Sequence, residues 1–337
     1  MNPVALKNNR EKIIECSRCG TVINPGTGSR LLSCNCKAIS VDGNTDYTRI
    51  IGKQENYIET KKITTNKKLS KKQIENSLFE GDCLKVMSQF SDQSVDMILC
   101  DLPYGTTQNK WDSIIPLEVL WKEYERIIKV NGVIALTSQG VFTAQLIMSN
   151  PNLFKYKLAW VKSKATNFLN AKKQPLRKYE DVCVFYRNKI YQPTYHPQMS
   201  IGEPYNKGHR KSQMTGSYGE FSSTEVKSDG QRYPSDVVYF KTAESEGEVF
   251  HPTQKPIELG QYLIRTYTNK GELVLDNTSG SGSFLVAAAL EGRKFVGIEL
   301  NEETILHKKN KVNLIEVTKN RILKFLPKLK IKIYGNS

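Results

Sequence analysis

Asp101-Leu102-Pro103-Tyr104, followed by Gly105, puts a carboxylate, a proline and an aromatic ring into one short turn. The proline biases the residue before it towards extended backbone, so the turn is shaped locally. A carboxylate and a neighbouring main-chain carbonyl can accept the hydrogens of an exocyclic amine. A tyrosine ring beside them can stack on the base that carries that amine, once the base has left its helix. A second turn, Asp276-Asn277-Thr278-Ser279-Gly280-Ser281-Gly282-Ser283, is rich in glycine and serine and opens onto Phe284–Leu290, a strong helix former. Such a turn lets backbone approach a ligand and offers the unpaired N–H groups of a helix start. Glu299 ends the next apolar run and follows Gly280 by 19 residues. That is close to the interval at which an acidic residue takes the ribose hydroxyls of a nucleoside.

Read alone, the glycine turn fits a nucleoside, NAD, FAD or a purely structural role. Gly-Ser-Gly in place of G-x-G-x-x-G counts against NAD, and the absence of a Gly-x-x-x-x-Gly-Lys-Ser/Thr run disfavours a P-loop. A third constellation is Cys16-x2-Cys19 followed by Cys34-x-Cys36. Two close cysteine pairs suit a structural zinc site of four thiolates better than four unligated thiols, although the second pair is one residue shorter than usual. The four histidines form no spacing of the H-E-x-x-H kind, so a catalytic metal is not expected.

The elements that must position these residues follow from apolar patterning. Val95–Cys100 is a continuous apolar run with one aspartate, as in a strand buried on both faces, so Asp101 falls at a strand's carboxyl end. Strands are expected over 95–100, 132–138, 181–186, 272–276 and 294–299. Helices are expected over 116–129, 141–149, 256–268, 282–291 and 302–319. Their alternation from about 77 to 320 predicts βα units around a parallel sheet. Residues 1–52 are expected as a separate cysteine domain, 53–76 as a lysine-rich linker and 321–337 as a basic tail. Residues 188–250 break the rhythm with Tyr, Gly, Ser and Pro and read as a functional insertion.

The chain has 337 residues, a net charge of +15 and seven cysteines. Its hydrophobic content of 39% supports a sizeable core. The charge suits a polyanionic partner or a generally basic soluble protein. No apolar stretch approaches the roughly 20 residues of a membrane span, so no membrane partner is expected. The start, Met1-Asn2-Pro3, has no apolar signal region, and the cysteine usage suits a reducing cytoplasm, which is the expected location.

With these motifs in hand, the chain resembles the DNA amino-methyltransferases. Their catalytic tetrad is Asp/Asn/Ser-Pro-Pro-Tyr/Phe and their cofactor turn Asp-Pro-Phe-x-Gly-x-Gly. Leu102 departs from the first pattern, and Asn277, Thr278 and Ser279 from the second. Tetrad first and cofactor turn last is the permuted order of the so-called beta group. His251-Pro252-Thr253-Gln254-Lys255-Pro256 is similar to that group's motif before the cofactor strand, and Gly81-Asp82-Cys83 to the segment along the cofactor's adenine. Trp160, Lys162 and Asp181–Tyr186 sit where a further shared strand is expected.

The resemblance implies a Rossmann-like α/β fold with a mostly parallel seven-stranded sheet, S-adenosylmethionine as cofactor and double-stranded DNA as substrate. It implies that Asp101 and the Leu102 carbonyl accept from the target amine, that Pro103 shapes the turn and that Tyr104 stacks on the base. Asp276, Ser279, Gly280 and Gly282 would shape the methionine side of the pocket, Glu299 would take the ribose, and Asp82 with Cys83 would lie along the adenine. Lys255 or Thr253 would take the methionine carboxylate. An aspartate at the tetrad's first position leans towards adenine N6 over cytosine N4.

The insertion at 188–250 falls where this group carries its target-recognition region. Its Lys207, His209, Arg210, Lys211 and Arg232, interleaved with Tyr205, Tyr218 and Tyr233, suit DNA contact. The cysteine segment through Tyr47 is similar to a small domain of phage proteins. A homodimer and a partner restriction endonuclease are compatible with the resemblance. The rival readings are cytosine-N4 methylation, a DNA-binding relative that has lost catalysis, and an RNA or protein methyltransferase.

Overall fold

The computed structural model describes residues 4–7, 12–19, 21–23, 31–43, 47–61, 68–105, 112–187, 192–217, 219–251, 253–301, 305–307 and 310–335. The chain divides into two units, Met1–Lys68 and Leu69–Ser337.

The described part of the first unit is mostly β, with one short helical turn at Gln54–Asn56. Strand Ile39–Gly43 pairs with Leu32–Ser33 and Tyr47–Gly52, and Tyr47–Gly52 pairs with Val4–Lys7. A second, three-stranded sheet sets Lys12–Cys16 between Val22–Ile23 and Tyr57–Lys61. Among the described residues its core holds Ile14, Ile23, Ile39, Val41 and Ile50, together with the buried Cys16 and Cys34. Small domains commonly rely on disulfides or metals as well as on an apolar core. Residues 53–76, expected as a linker, divide between the two units. Tyr57–Lys61 is a strand of the first, Lys71–Ile74 is a helical turn of the second, and 62–67 lie outside the described residues.

The second unit is built on a nine-stranded sheet. In chain order its strands are β1 (Ser77–Glu80), β2 (Val95–Asp101), β3 (Ile128–Ser138), β4 (Phe154–Thr166), β5 (Arg177–Tyr186), β6 (Val237–Phe240), β7 (Leu273–Asp276), β8 (Lys294–Glu299) and β9 (Lys332–Tyr334). Their spatial order is β6-β4-β5-β3-β2-β7-β8-β1-β9. Only β5 pairs antiparallel with its neighbours, and every other adjacent pair is parallel. The mostly parallel sheet is as expected, but its seven central strands gain one more at each edge. The insertion supplies β6 and the basic tail supplies β9.

Alternation along β2 shows why both faces are covered. Ile98 and Cys100 belong to one core cluster, Met97 and Leu99 to the other. The first cluster is closed by α2 (Leu117–Ile127), which buries Leu120, Trp121, Tyr124 and Ile127 on one stripe. The second is closed by α4 (Ile257–Tyr267) and α5 (Ser283–Leu290), with Gly260 close enough to Phe284 that a Cβ there would strike its ring. The shorter α1 (Cys83–Met87) and α3 (Val141–Ser149) complete the first layer.

The helix expected over 302–319 is instead α6 (Leu314–Phe325), preceded by a two-stranded turn of Ile305–His307 and Asn310–Val312. Residues 302–304 lie outside the described residues. Asn313 fixes the helix start, accepting from Glu316 N at 3.0 Å.

Within 192–251 the chain forms exposed hairpins: Tyr205–Arg210 with Thr224–Ser228, Gln213–Thr215 with Gly219–Phe221, and Ser200–Ile201 with Gln231–Arg232. The Tyr205 ring carries Arg232 at 4.8 Å and Lys207 at 5.1 Å from its centroid. Tyr218 lies outside the described residues. Among the described residues no helix is long and apolar enough to cross a membrane.

Candidate active site

Because β2, β7 and β8 are adjacent and parallel, their carboxyl ends bring Asp101, Asp276 and Glu299 to one edge of the sheet. The tetrad turn and the glycine turn are joined directly, with Thr278 Oγ1 donating to the Asp101 carbonyl at 2.9 Å. Beneath them Cys100 Sγ donates to Asn277 Oδ1 at 2.8 Å, and Tyr124 donates to the same oxygen at 2.5 Å.

Asp101 is heavily used. Its Oδ1 accepts from Tyr104 at 2.8 Å and from the Thr137 hydroxyl, and its Oδ2 accepts from Lys255 Nζ at 2.7 Å. Lys255 Nζ also lies 3.4 Å from Glu180 Oε2, and Glu180 Oε1 accepts from Lys162 Nζ at 3.0 Å. Carboxylates and ammonium groups therefore alternate through Asp101, Lys255, Glu180 and Lys162. Burial alone would lower the pKa of Lys255, but Asp101 and Glu180 hold it above the usual lysine value. Burial alone would raise Glu180, but Lys255 and Lys162 hold it below the usual carboxylate range.

The Tyr104 ring stacks on Phe142 with centroids 5.1 Å apart, and Lys255 Nζ lies 5.5 Å from its centre. Leu102 is buried in the core, which explains how an apolar residue is accommodated at the tetrad's second position.

The glycine turn is fixed from behind and open in front. Arg321 NH1 donates to the Ser281 carbonyl at 2.5 Å and to the Ser281 and Ser283 hydroxyls. Burial pulls Arg321 down to about 10. Gly282, at φ 76°, is the N-cap of α5, and a Cβ there would strike Thr318. Gly280, at φ 51°, has nothing within 4 Å of where a Cβ would stand. Ser279 Oγ is buried without a hydrogen-bond partner among the described residues. Glu299 Oε2 accepts from Gly280 N at 2.7 Å. Burial raises Glu299, and it drives Asp276 well above the usual carboxylate range, with Asp101 and Glu299 adding to the rise. Desolvated acids beside an open, unsaturated turn suit a ligand that brings positive charge.

The other expected residues have local roles. Asp82 caps α1, accepting from Lys85 N at 2.9 Å, and burial pushes Cys83 up to about 11. Thr253 bonds the His251 ring at 3.0 Å. Lys255, expected at a methionine carboxylate, has its ammonium on Asp101. Thr137, Glu180 and Lys162 were given no role from sequence. Lys162 ends the apolar run Leu158–Val161, and Glu180 stands just before the apolar run Val182–Phe185, which was the available signal.

In the N-terminal unit the sulfurs of Cys16, Cys19, Cys34 and Cys36 all lie within 4.8 Å of one another. Cys36 Sγ is 3.6 Å from that of Cys16 and 3.5 Å from that of Cys34. Thiolates about 2.3 Å from a tetrahedral ion stand roughly 3.8 Å apart, so the cluster can hold a metal ion. The Thr21 hydroxyl, 3.1 Å away, is the main cause that brings Cys19 down to about 6.

A Rossmann-like sheet whose carboxyl edge joins a tetrad turn to a glycine turn defines a nucleotide-cofactor enzyme of the doubly wound α/β class. The family model described as DNA methylase matches residues 95–310, and the chain belongs to that family. Among curated relatives, Type II methyltransferase M2.MboI of Moraxella bovis is 26% identical over 75% of this chain and 90% of its own length. DNA adenine methyltransferase YhdJ of Escherichia coli K12 is also 26% identical, over 77% of this chain and 89% of its own length. Among solved structures, the M1.HpyAVI–SAM complex is similar at 19% identity and a TM-score of 0.48, covering 73% of this chain and 98% of that one.

Proposed function

We propose that the protein transfers a methyl group from S-adenosylmethionine to the N6 amine of adenine at specific sites in double-stranded DNA. The observation that carries this reading is the 2.9 Å bond from Thr278 to the Asp101 carbonyl, which fixes the acceptor turn against the cofactor turn. Family membership, the tetrad-first order and the aspartate at position 101 support it.

The residues divide the work. Ser279, Gly280, Gly282, Asp276 and Glu299 hold the cofactor, with Asp82, Cys83 and Thr253 along its rim. The bound cofactor supplies a methyl group already activated on a sulfonium. Asp101 and the Leu102 carbonyl accept hydrogens from the target amine and leave its lone pair free to attack. Pro103 holds the turn, and Tyr104 stacks on the base, worth about 1–3 kcal/mol. Asp101 already accepts three hydrogen bonds, and its Oδ2, which accepts from Lys255 alone among the described residues, keeps a lone pair for the amine. Glu180, 3.4 Å from Lys255, shares that ammonium. Alignment and fixed charges supply the acceleration, and no cysteine nucleophile is required.

Segment 188–250 is the target-recognition region, with Lys207, Arg210 and Arg232 on exposed hairpins. The four N-terminal cysteines hold structural zinc, in a protein that works in the cytoplasm. Native mass spectrometry should find one zinc per chain and lose it in Cys34→Ser.

Labelled S-adenosylmethionine and unmethylated genomic DNA, followed by hydrolysis to nucleosides, test the reaction. Label in N6-methyladenine supports the reading, and label in N4-methylcytosine replaces the target base. Binding of DNA without label in any base overturns catalysis.

A further inference from the structure

The β4–β5 hairpin leaves the sheet at the same edge as Asp101. Its base carries Trp160 opposite Glu180 and Val161 opposite Tyr179, and its far end pairs Thr166 with Arg177. Lys162 and Glu180 tie it to Lys255 and so to the catalytic carboxylate. Gln139, just past the end of β3, donates to the Tyr179 carbonyl at 3.0 Å and accepts from Arg177 at 3.2 Å. The hairpin is therefore held against the reaction centre from two sides.

Its tip is a built turn. Asn167 takes φ 71° and ends the strand, and Asn170 Nδ2 donates to Asn167 Oδ1 at 2.7 Å. Backbone bonds from Asn170 to Asn167, Ala171 to Phe168 and Lys173 to Asn170 close the helical turn Phe168–Asn170. This turn presents two consecutive large apolar side chains to solvent, Phe168 at 76% and Leu169 at 84% exposure. Around them stand exposed Lys164, Lys172, Lys173, Arg177 and Lys178, with no acidic residue between Ser163 and Tyr179. A rigid apolar point set in a ring of cations fits a partner with anionic flanks and an apolar interior slot. A nucleic-acid duplex opened at one base step has that form.

We infer that Phe168 and Leu169 form a wedge that enters the DNA stack at the place the target base vacates. The inference rests on the methyltransferase reading and extends it. Extruding a paired base costs a few kcal/mol, and an apolar side chain filling the gap offsets part of that cost. The flanking cations hold the backbone on either side and carry no sequence information.

The test uses the full chain and two duplexes carrying the sequence that the wild type modifies, as mapped by sequencing methylated genomic DNA. One duplex is fully paired, and in the other the target base faces a mismatch and is already loosened. F168A/L169A should lower kcat/KM on the paired duplex by about tenfold or more and stay within about twofold of wild type on the mismatched one. Replacing the target with 2-aminopurine should give a smaller fluorescence rise on binding for the variant than for the wild type. K172A/K173A should weaken both duplexes alike and flatten the salt dependence. Equal loss on both duplexes for F168A/L169A, or no loss on either, overturns the wedge while leaving the methyltransferase reading standing. A wild type that labels no DNA overturns the reading and the wedge together.

Discussion

The two turns that meet at the sheet edge are provisioned in opposite ways. Asp101 enters its turn with three hydrogen-bond donors already in place, from Tyr104, Thr137 and Lys255. The glycine turn, one strand away, keeps a buried hydroxyl at Ser279 unpartnered and open space above Gly280. It also keeps two carboxylates that burial has made weak acids. The tetrad turn is largely occupied by the protein's own donors, with about one lone pair of its carboxylate to spare. The glycine turn is incomplete and must be completed by its ligand. Under the proposed function, the cofactor completes one turn while the target amine joins donors already present in the other.

Breaking the tetrad alone should give the largest effect. Asp101→Ala removes the acceptor of the amine hydrogens and should lower methyl transfer about a thousandfold, while calorimetry finds S-adenosylmethionine bound as in wild type. Loss of cofactor binding as well would show that the two turns do not act separately.

Next comes the cation between the carboxylates. Lys255→Met leaves Asp101 and Glu180 facing each other with no charge between them and should cost about 3 kcal/mol in denaturant unfolding. Adding Glu180→Gln should recover part of that loss. A double variant no more stable than the single would mean that Lys255 contributes by packing alone.

The glycine turn is sharpened by Gly282→Ala, which meets both a left-handed backbone and the Thr318 side chain. About 2 kcal/mol of stability should be lost, with partial recovery in Thr318→Ala. If Thr318→Ala recovers nothing, backbone strain is the whole cause.

The smallest effect should come from Asp276→Asn, and its sign is opposite. The folded-state value of Asp276 lies above its unfolded value. Its contribution to stability is therefore fully present below about pH 4 and is lost as pH rises towards the folded value. The amide escapes that loss, so the cofactor-free variant should be more stable than wild type at neutral pH and equal to it near pH 4. It should also bind S-adenosylmethionine more weakly. A gain in stability that does not vary with pH would point to packing.

Much of this edge was legible in the sequence, because buried parallel strands are short continuous apolar runs with a polar residue at the carboxyl end. Val95–Asp101, Leu273–Asp276 and Lys294–Glu299 all have that form, and each strand lies within a residue or two of its expected place. β1 has only two apolar residues, Leu78 and Phe79, between Ser77 and Glu80 and did not stand out. β4 alternates lysines with apolar residues because its first half is exposed on one side, and it was expected only through resemblance. β6 hid inside a segment of irregular composition, and β9 inside a basic tail. The helix over 302–319 failed because apolar spacing there continues through the preceding turn. Asn313 and Glu316, a capping pair at the proper interval, marked the true start. The crowding of Asp101 was invisible, since Lys255 and Glu180 approach it only through the fold.

The placement of β1 has a further consequence, in time. It is the first strand of the sheet to leave the ribosome, yet Ser77 pairs with Val296 on one side and Lys332 on the other. At typical elongation rates it therefore waits roughly 10–40 s with both edges bare before its first partner is made. Over that interval Leu78 and Phe79, which end buried, are exposed on an unpaired strand. Slower translation between residues 80 and 294 should therefore lower the soluble yield of the chain without altering the stability of what does fold.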